Sequence, residues 1–178
     1  MKKLTFILLL TLSAGLLFAE SLDPKKLSDI KSALSGTRHL ENSEALKAEL
    51  EFYAADPSPY LIAIVQDPNL RVYVKTRAIR LLQFYPSETN SKFLETKIAA
   101  NNEHTSVRKF AIQSYAISQK GQTSKVQGFL GKFRTDSDLG PFVDKTLKET
   151  NFDSKPFDKN PSSQNDSERT RFEKPKKK

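Results

Sequence analysis

Apolar residues recur three or four positions apart through most of the chain, which is the spacing of one face of an α-helix. Leu27, Ile30 and Leu34 form one such series, and Leu46 and Leu50 begin another. No segment alternates apolar and polar residues for long enough to predict a β-strand. Pro, Gly, Asp, Asn and Ser gather between the apolar series, where turns are expected. The pattern therefore predicts an all-α protein.

The middle of the chain contains a repeat of 33 residues. Two helix–turn–helix units share apolar, small and basic residues at this offset, and a third, less regular unit continues from Val126 to Leu147. The matched residues of the first two units are Asn69, Val74, Lys75, Ala78 and Ile79, followed by Asn102, Val107, Arg108, Ala111 and Ile112. Because one helical pair cannot bury its apolar surface alone, the repeat predicts pairs that stack on one another.

The predicted helix around Val74 is apolar on two sides. Leu70, Val74 and Ala78 share one side, whereas Val72 and Ile79 lie on another. A helix with two apolar sides has to contact both the other helix of its pair and a neighbouring pair. Such double contact is what a stacked helical solenoid requires.

The segments 69–79 and 102–112 resemble the repeats of the HEAT family. Those repeats typically carry an Asp in the turn inside the repeat, then Val-Arg, then a small residue that opens the core face. Val107, Arg108 and Ala111 match the last part of this order. The resemblance implies a short right-handed α-solenoid of helical hairpins. Together with the amino-terminal signal described below, which has a bacterial style, it predicts an exported bacterial member of the family.

The chain departs from the family pattern at three of the matched positions. Lys75 stands where the family has Arg, and Asn69 and Asn102 stand where it has the turn Asp. The family's ladder of Asp–Arg hydrogen bonds would therefore be weaker here, or made by other residues.

The resemblance divides the mature chain into three regions. Residues 58–150 are expected to form the HEAT-like repeats, and residues 20–57 a helical pair that represents a divergent first repeat. Residues 151–178 follow as a tail. An unrelated helical bundle, or an array like that of TPR or armadillo proteins, is the alternative that the repeat leaves open.

Residues 1–19 have the three parts of a secretory signal peptide. Lys2 and Lys3 supply the positive start, the run from Leu4 to Phe18 is apolar, and Ala19 is a small residue at the cleavage point. We expect an exported protein, periplasmic or secreted, with no transmembrane segment after cleavage. The alternative is an uncleaved membrane anchor, since about 20 apolar residues can span a bilayer.

The tail, residues 151–178, is rich in Pro, Ser, Asn, Asp and Lys and has few large apolar residues. Such a composition cannot bury enough apolar surface to offset the entropy of ordering, so we predict disorder. A basic end can contact an anionic lipid, a polysaccharide or an acidic protein, and it can also simply increase solubility. The basic residues at the end of this tail are Lys174, Lys176, Lys177 and Lys178.

Composition excludes several classes of function. The chain has no Cys, which rules out disulfides, thiolate metal sites and Cys nucleophiles. The formal net charge is +8, but residues 20–150 hold 19 basic and 16 acidic residues, a net charge of only +3. The remaining excess lies in the predicted signal peptide and tail. This balance argues against nucleic acid as the partner.

The sequence lacks the residue patterns that catalysis requires. It contains no His-Glu-x-x-His motif, no Gly-x-Ser-x-Gly elbow and no phosphate-binding loop. The two histidines, His39 and His104, fall in predicted loops and have no metal-ligand partner at helical spacing. We therefore predict a protein that is not an enzyme and needs neither cofactor nor metal.

The second helix of each predicted pair carries basic and aromatic residues that suit a recognition surface. A scaffold or adaptor that binds a protein partner through this surface is the first hypothesis. Binding of an anionic lipid, glycan or other polyanion through the same helices and the Lys-rich tail is the second. A plain solvated face is the simplest interpretation, with Lys75 and Arg108 in structural roles. The candidate binding residues are Arg71, Tyr73, Arg77, Arg80, Arg108 and Lys109.

Overall fold

The computed structural model describes residues 22–36 and 42–150, which form eight α-helices. A short 3-10 turn, Gly131–Phe133, follows the seventh helix. The helices are α1 Pro24–Ser35, α2 Ser43–Tyr53, α3 Ser58–Gln66, α4 Val72–Leu82, α5 Glu88–Ala99, α6 Thr105–Ser118, α7 Thr123–Leu130 and α8 Gly140–Glu149. The prediction of an all-α protein is confirmed for these residues. The predicted signal peptide and the predicted disordered tail lie outside them.

Side chains that directly precede several of the helices cap them. The Asp23 carboxylate accepts hydrogen bonds from the backbone N–H groups of Lys25 and Lys26, and Pro24 occupies the first helical position. Asn42 and Ser87 cap α2 and α5 in the same way. Each cap satisfies N–H groups that have no partner inside the helix, and so fixes where the helix begins.

The helices pack mainly against near neighbours in the sequence. Helix α3 pairs with α4, α5 pairs with α6, and α4 and α6 lie against each other. Helices α1 and α2 contact each other and reach α3 and α4, whereas α8 packs on α6. The apolar cores of these pairs merge into one cluster that extends from Ile30 in α1 to Val143 in α8.

The 33-residue repeat corresponds to a repeat of buried positions. Val74, Ala78 and Ile79 in α4 are buried, and their counterparts Val107, Ala111 and Ile112 in α6 are buried as well. Val72, on the second apolar side, is half-buried against the core. The packing therefore explains why the apolar residues recur at this offset.

The third unit follows with a shift of one residue. Leu139, Val143 and Thr146 are buried, and each lies 32 residues after Val107, Ala111 or Ser114. The shift accompanies a short α7, which ends at Leu130, and a close approach at the start of α8. A Cβ atom at Gly140 would collide with the backbone of Arg134, so this position requires glycine.

Candidate protein-binding surface

The candidate residues lie on or next to two helices that pack side by side. Helix α4 contains Lys75, Arg77 and Arg80, and α6 contains Arg108 and Lys109. Neither of these helices has an acidic residue. Their surface is therefore built from side chains of one charge sign.

Tyr73 and Arg77 hold the carboxyl end of α1, and we call this pair the α1 clamp. The Arg77 Nη1 atom donates to the carbonyl oxygens of Leu34 at 2.7 Å and Gly36 at 2.9 Å. The Tyr73 hydroxyl donates to the carbonyl oxygen of Ser35 at 3.2 Å. Carbonyl groups in the last turn of a helix lack partners within it and carry partial negative charge, which favours a guanidinium there.

The clamp also orders its own two side chains. The Arg77 guanidinium lies 5.4 Å from the centroid of the Tyr73 ring, within the range of a cation–π contact. Tyr73 is still 42% exposed. Both residues were expected to contact a partner, and the structure places them in contact with α1.

Arg108 is buried, so the expectation that it lies on the surface is wrong. Its side chain donates from Nε to the carbonyl oxygen of Ile98 at 3.0 Å, and from Nη2 to the Asp136 carboxylate at 3.3 Å. Ile98 lies in the last turn of α5, where carbonyl groups need an outside donor. The planar guanidinium can serve two acceptors at once, which explains why the residue is drawn inward. Among the candidates, Arg108 thus has the structural role.

Acidic residues in the turns between paired helices form a series of ion pairs, which we call the turn-acid ladder. Asp67 lies 2.9 Å from the Lys31 amine, Glu103 lies 2.7 Å from the Lys97 amine, and Asp136 meets Arg108.

Electrostatics favour the charged form of each ladder carboxylate. A hydrogen bond from Lys31 lowers the pKa of Asp67, and backbone N–H groups with Arg108 lower the pKa of Asp136. Burial alone would raise the pKa of Glu103, but the hydrogen bond from Lys97 and the backbone N–H of His104 bring the pKa below its usual value. The positive charge of Lys75 acts on both Asp67 and Glu103.

The turn-acid ladder occupies different positions from those that the HEAT resemblance suggests. Asp67 precedes Asn69 by two residues, and Glu103 follows Asn102 by one. A ladder made by other residues was one of the two outcomes expected from the sequence. Each acid of the ladder pairs with a basic residue that precedes it in the chain, by 6 residues for Lys97, 28 for Arg108 and 36 for Lys31. A local sequence signal therefore existed for the Lys97–Glu103 pair alone.

The remaining basic candidates lie at the surface of α4 and α6. Arg71 is exposed at the start of α4, and Arg80 and Lys109 are half-buried. The guanidinium of Arg80 lies 5.2 Å from the centroid of the Phe110 ring, which joins the two helices by a cation–π contact. We call Arg80, Lys109 and Phe110 the α4–α6 ridge; Arg71 lies nine residues before Arg80, at the other end of α4. Phe110 was not among the candidates, although it follows Lys109 directly.

An open cavity of about 580 Å³ lies near the carboxyl ends of α4 and α6. Gln83 and Phe84 follow α4 on one side, Ile117 contributes from α6, and the start of α2 forms the opposite wall. Ligand pockets of small-molecule sites are more enclosed and more apolar as a rule. The cavity instead extends the α4–α6 ridge by one further depression.

Residues that could perform metal or acid–base chemistry are dispersed. Within 22–36 and 42–150, no three His, Asp or Glu side chains gather closely enough to hold a metal ion together. His104 caps α6, because its Nδ1 atom accepts a hydrogen bond from the backbone N–H of Ser106 at 3.1 Å. His39 and the four tail lysines lie outside the described residues. No helix in the described part of the chain is long and apolar enough to cross a membrane.

In comparisons with known proteins, no family model, no curated protein and no solved structure matches this chain. The described residues establish an all-helical protein of eight packed helices. The resemblance to HEAT repeats therefore depends on the repeated residues, and a function has to be argued from the surface.

Proposed function

We propose that the protein is an exported, non-catalytic, HEAT-repeat-like scaffold or adaptor that binds an acidic region of a partner protein. Helical pairs related by 33 and 32 residues, with α4, α6 and α8 in successive contact, support a short α-solenoid. Solenoids present long surfaces built from neighbouring repeats, and their binding sites need no catalytic groups. The predicted signal peptide supports a location in the periplasm or outside the cell.

The observation that carries this proposal is the one-sign surface of α4 and α6. These helices have five basic residues and no acidic residue. Two of the five, Arg77 and Arg108, are engaged with helix ends, and the charge of Lys75 acts on the turn acids Asp67 and Glu103. Arg80 and Lys109 of the α4–α6 ridge are left to face a partner. Arg and aromatic residues dominate the energetics of many protein interfaces, and Arg80 stacked on Phe110 combines both.

The size of the ridge sets the kind of complex that we expect. Helices of 11 and 14 residues are roughly 17 and 21 Å long, so the pair offers on the order of 400 Å². A stable interface buries about 800 Å² on each partner. A partner held for long would therefore also enter the cavity beside Phe84 and Ile117. Contact with the ridge alone would give a transient complex.

A crosslinked pull-down from the native cell envelope tests the proposal, with residues 20–178 as bait. We expect one protein to be recovered by the unchanged chain and lost with Arg80→Glu, because the charge reversal puts a carboxylate against an acidic partner. Lys92→Glu is the matched control, since Lys92 is exposed on α5 and the change in net charge is equal. Equal recovery by all three baits would refute the ridge as the binding surface.

Binding of an anionic lipid or glycan is the second candidate, and the same one-sign surface favours it. Attraction to a polyanion is summed over many charges, so Arg80→Glu should weaken it without abolishing it, and Lys92→Glu should weaken it too, though less. Binding to vesicles with anionic lipid should also fall steeply between about 50 and 200 mM salt. Binding that does not change with salt would exclude this candidate.

A further inference from the structure

Helix α2 exposes apolar side chains on its outer face. Ala45, Ala48 and Phe52 lie three and four residues apart, so they share one side of the helix, and all three are exposed. Phe52 is 87% exposed, whereas Leu46 and Leu50 on the opposite side are buried in the core. An aromatic ring that remains in water while the helix is already anchored is a feature of a contact surface.

Acidic residues surround this outer face. Glu44 and Glu49 are exposed beside the apolar series. Between residues 42 and 56 the chain has four acidic residues and one basic residue, Lys47. Lys47 is paired with Glu51 at 2.8 Å, so its charge is balanced within the helix. The α2 face is therefore acidic around Phe52, and opposite in sign to α4 and α6.

We propose that the outer face of α2 docks the last ten residues of the same chain, 169–178. This segment has one aromatic residue, Phe172, among six basic residues and one acidic residue. Its charge and its single aromatic ring complement a face that has one exposed ring and excess negative charge. The six basic residues of the segment are Arg169, Arg171, Lys174, Lys176, Lys177 and Lys178.

The chain is long enough for this contact. Residues 151–168 separate the described part of the chain from the segment, and 18 residues can span up to about 60 Å when extended. Helices α2, α4, α6 and α8 contact one another in that order. At roughly 8–10 Å for each step, α2 lies about 30 Å from α8. Tethering also keeps the local concentration of the segment near the millimolar range, so a small contact area can suffice.

A second copy of the chain fits the α2 face less well. Two α2 helices packed face to face would bring Glu44 and Glu49 of both copies together, and like charges at close range oppose association. The basic segment meets no such repulsion. The contact would also occupy the tail lysines that were expected to reach an anionic surface.

A spin label tests the contact directly. The chain has no Cys, so Ser167→Cys in residues 20–178 provides one attachment site two residues before Arg169. We expect the amide NMR signals of residues 44–52 to lose about half or more of their intensity while those of α5 remain, because the label approaches α2. Unchanged α2 signals would overturn the proposal.

Variants separate docking from chance proximity. In Phe52→Ala with Glu49→Lys, the α2 signals should regain their intensity, and the exposed positions of both residues leave the fold intact. Glu88→Lys is the matched control, since it makes the same change in charge on the exposed surface of α5 and should leave the broadening in place. Broadening that persists in the α2 variant, or disappears in the control, would contradict the proposal.

A mixed sample distinguishes the chain's own segment from that of another copy. Spin-labelled chains without nitrogen-15 are combined with unlabelled chains that carry nitrogen-15. We expect no loss of the α2 signals in this sample. Loss of intensity there would show that the segment reaches another molecule, and would overturn docking within the chain. The partner surface on α4 and α6 is tested separately, since it involves neither Phe52 nor Phe172.

Discussion

Helices α4 and α6 occupy equivalent places in the repeat, yet their basic residues make different contacts. Val74 and Val107 are both buried, as are Ala78 and Ala111. At the equivalent positions Lys75 and Arg108, however, the first is half-buried and acts on two turn acids from a distance, whereas the second is buried and donates to Ile98 and Asp136. Register thus determines the burial of the apolar positions, whereas the burial and the contacts of the basic residue depend on the reach and shape of its side chain.

A second pair of equivalent positions shows the effect of the neighbouring helix. Arg77 in α4 corresponds to Phe110 in α6. Arg77 faces the end of α1 and binds its carbonyl groups, whereas Phe110 faces Arg80 and stays half-exposed. Contact with α1 therefore engages Arg77 of α4, whereas its counterpart Phe110 remains at the surface of α6.

The largest effect is expected from Arg108→Ala. The change removes the side-chain donor of the Ile98 carbonyl and the charged partner of Asp136, and it leaves a cavity where the buried guanidinium lay. It should lower the free energy of unfolding by about 2–3 kcal/mol. Urea denaturation followed by circular dichroism measures it. The adjacent Lys109→Ala is the control and should change stability by less than about 0.5 kcal/mol. Equal stability of the two variants would show that Arg108 has no structural role.

Arg77→Ala should have a smaller and more local effect. Its two carbonyl acceptors can turn to water, so we expect a loss of about 1–2 kcal/mol and faster hydrogen exchange in α1, with α5 and α6 unchanged. Hydrogen exchange with mass spectrometry resolves the helices. Arg80→Ala, one turn further along α4, should leave the exchange of α1 as it is. Exchange in α1 that does not respond to Arg77→Ala would argue against the α1 clamp.

Acid should weaken the turn-acid ladder. The pKa values of Asp67, Glu103 and Asp136 are lower in the folded protein than the usual 3.8 for Asp and 4.5 for Glu. The unfolded chain therefore binds protons first, and the stability that these groups supply above the usual pKa is lost as pH falls through the lowered values. Thermal unfolding between about pH 6 and pH 3 measures the decline. Asp136→Asn should make it less steep, and a stability that does not change with pH would contradict the ladder.

The smallest effect is expected from Lys75→Arg, which gives position 75 the residue found at the equivalent position 108. The reverse replacement, Arg108→Lys, should have a larger effect. Lys75→Arg should change stability by less than about 0.5 kcal/mol, because the site is half-exposed. Arg108→Lys should cost about 1 kcal/mol or more, since an amine keeps the charge and loses the fork that reaches two acceptors. The unfolding midpoints of the two single variants measure these two changes in stability. Equal effects would mean that the positions differ only in charge.

The sequence was sufficient to predict the helices and the core, but not the contacts that the polar side chains make. Apolar spacing predicted that Val74 and Val107 would be buried, because period alone decides which side of a helix faces inward. It could not show that Arg77 meets Leu34, since these residues are 43 positions apart and the contact depends on how α1 lies across α4. The ion pair of Lys31 and Asp67 was missed because these residues are 36 positions apart. The corresponding turn acid Glu103 was missed because it lies 36 residues after Asp67 and so does not follow the 33-residue repeat.

The structure gives several of the predicted binding residues other contacts, for the same physical reason. Tyr73, Arg77 and Arg108 have the composition of a recognition site, but the same groups also satisfy helix carbonyls, and composition does not distinguish the two uses. Export, partner binding and the absence of catalysis stay predictions. The exposed ring of Phe52 was not singled out, although its spacing from Leu46 and Leu50 puts it on the opposite side of α2.

The α1 clamp also has a consequence for the order in which the chain folds. The main contacts join each helix to one of the next three helices in the chain, and such a topology favours fast folding. The carbonyl groups at the end of α1 nevertheless receive side-chain donors from Tyr73 and Arg77, which stand 38 to 43 residues later in the chain. A chain that is synthesised from its amino end cannot complete these contacts of α1 until α4 has followed. Hydrogen exchange pulsed during refolding should show α1 protected no earlier than α4.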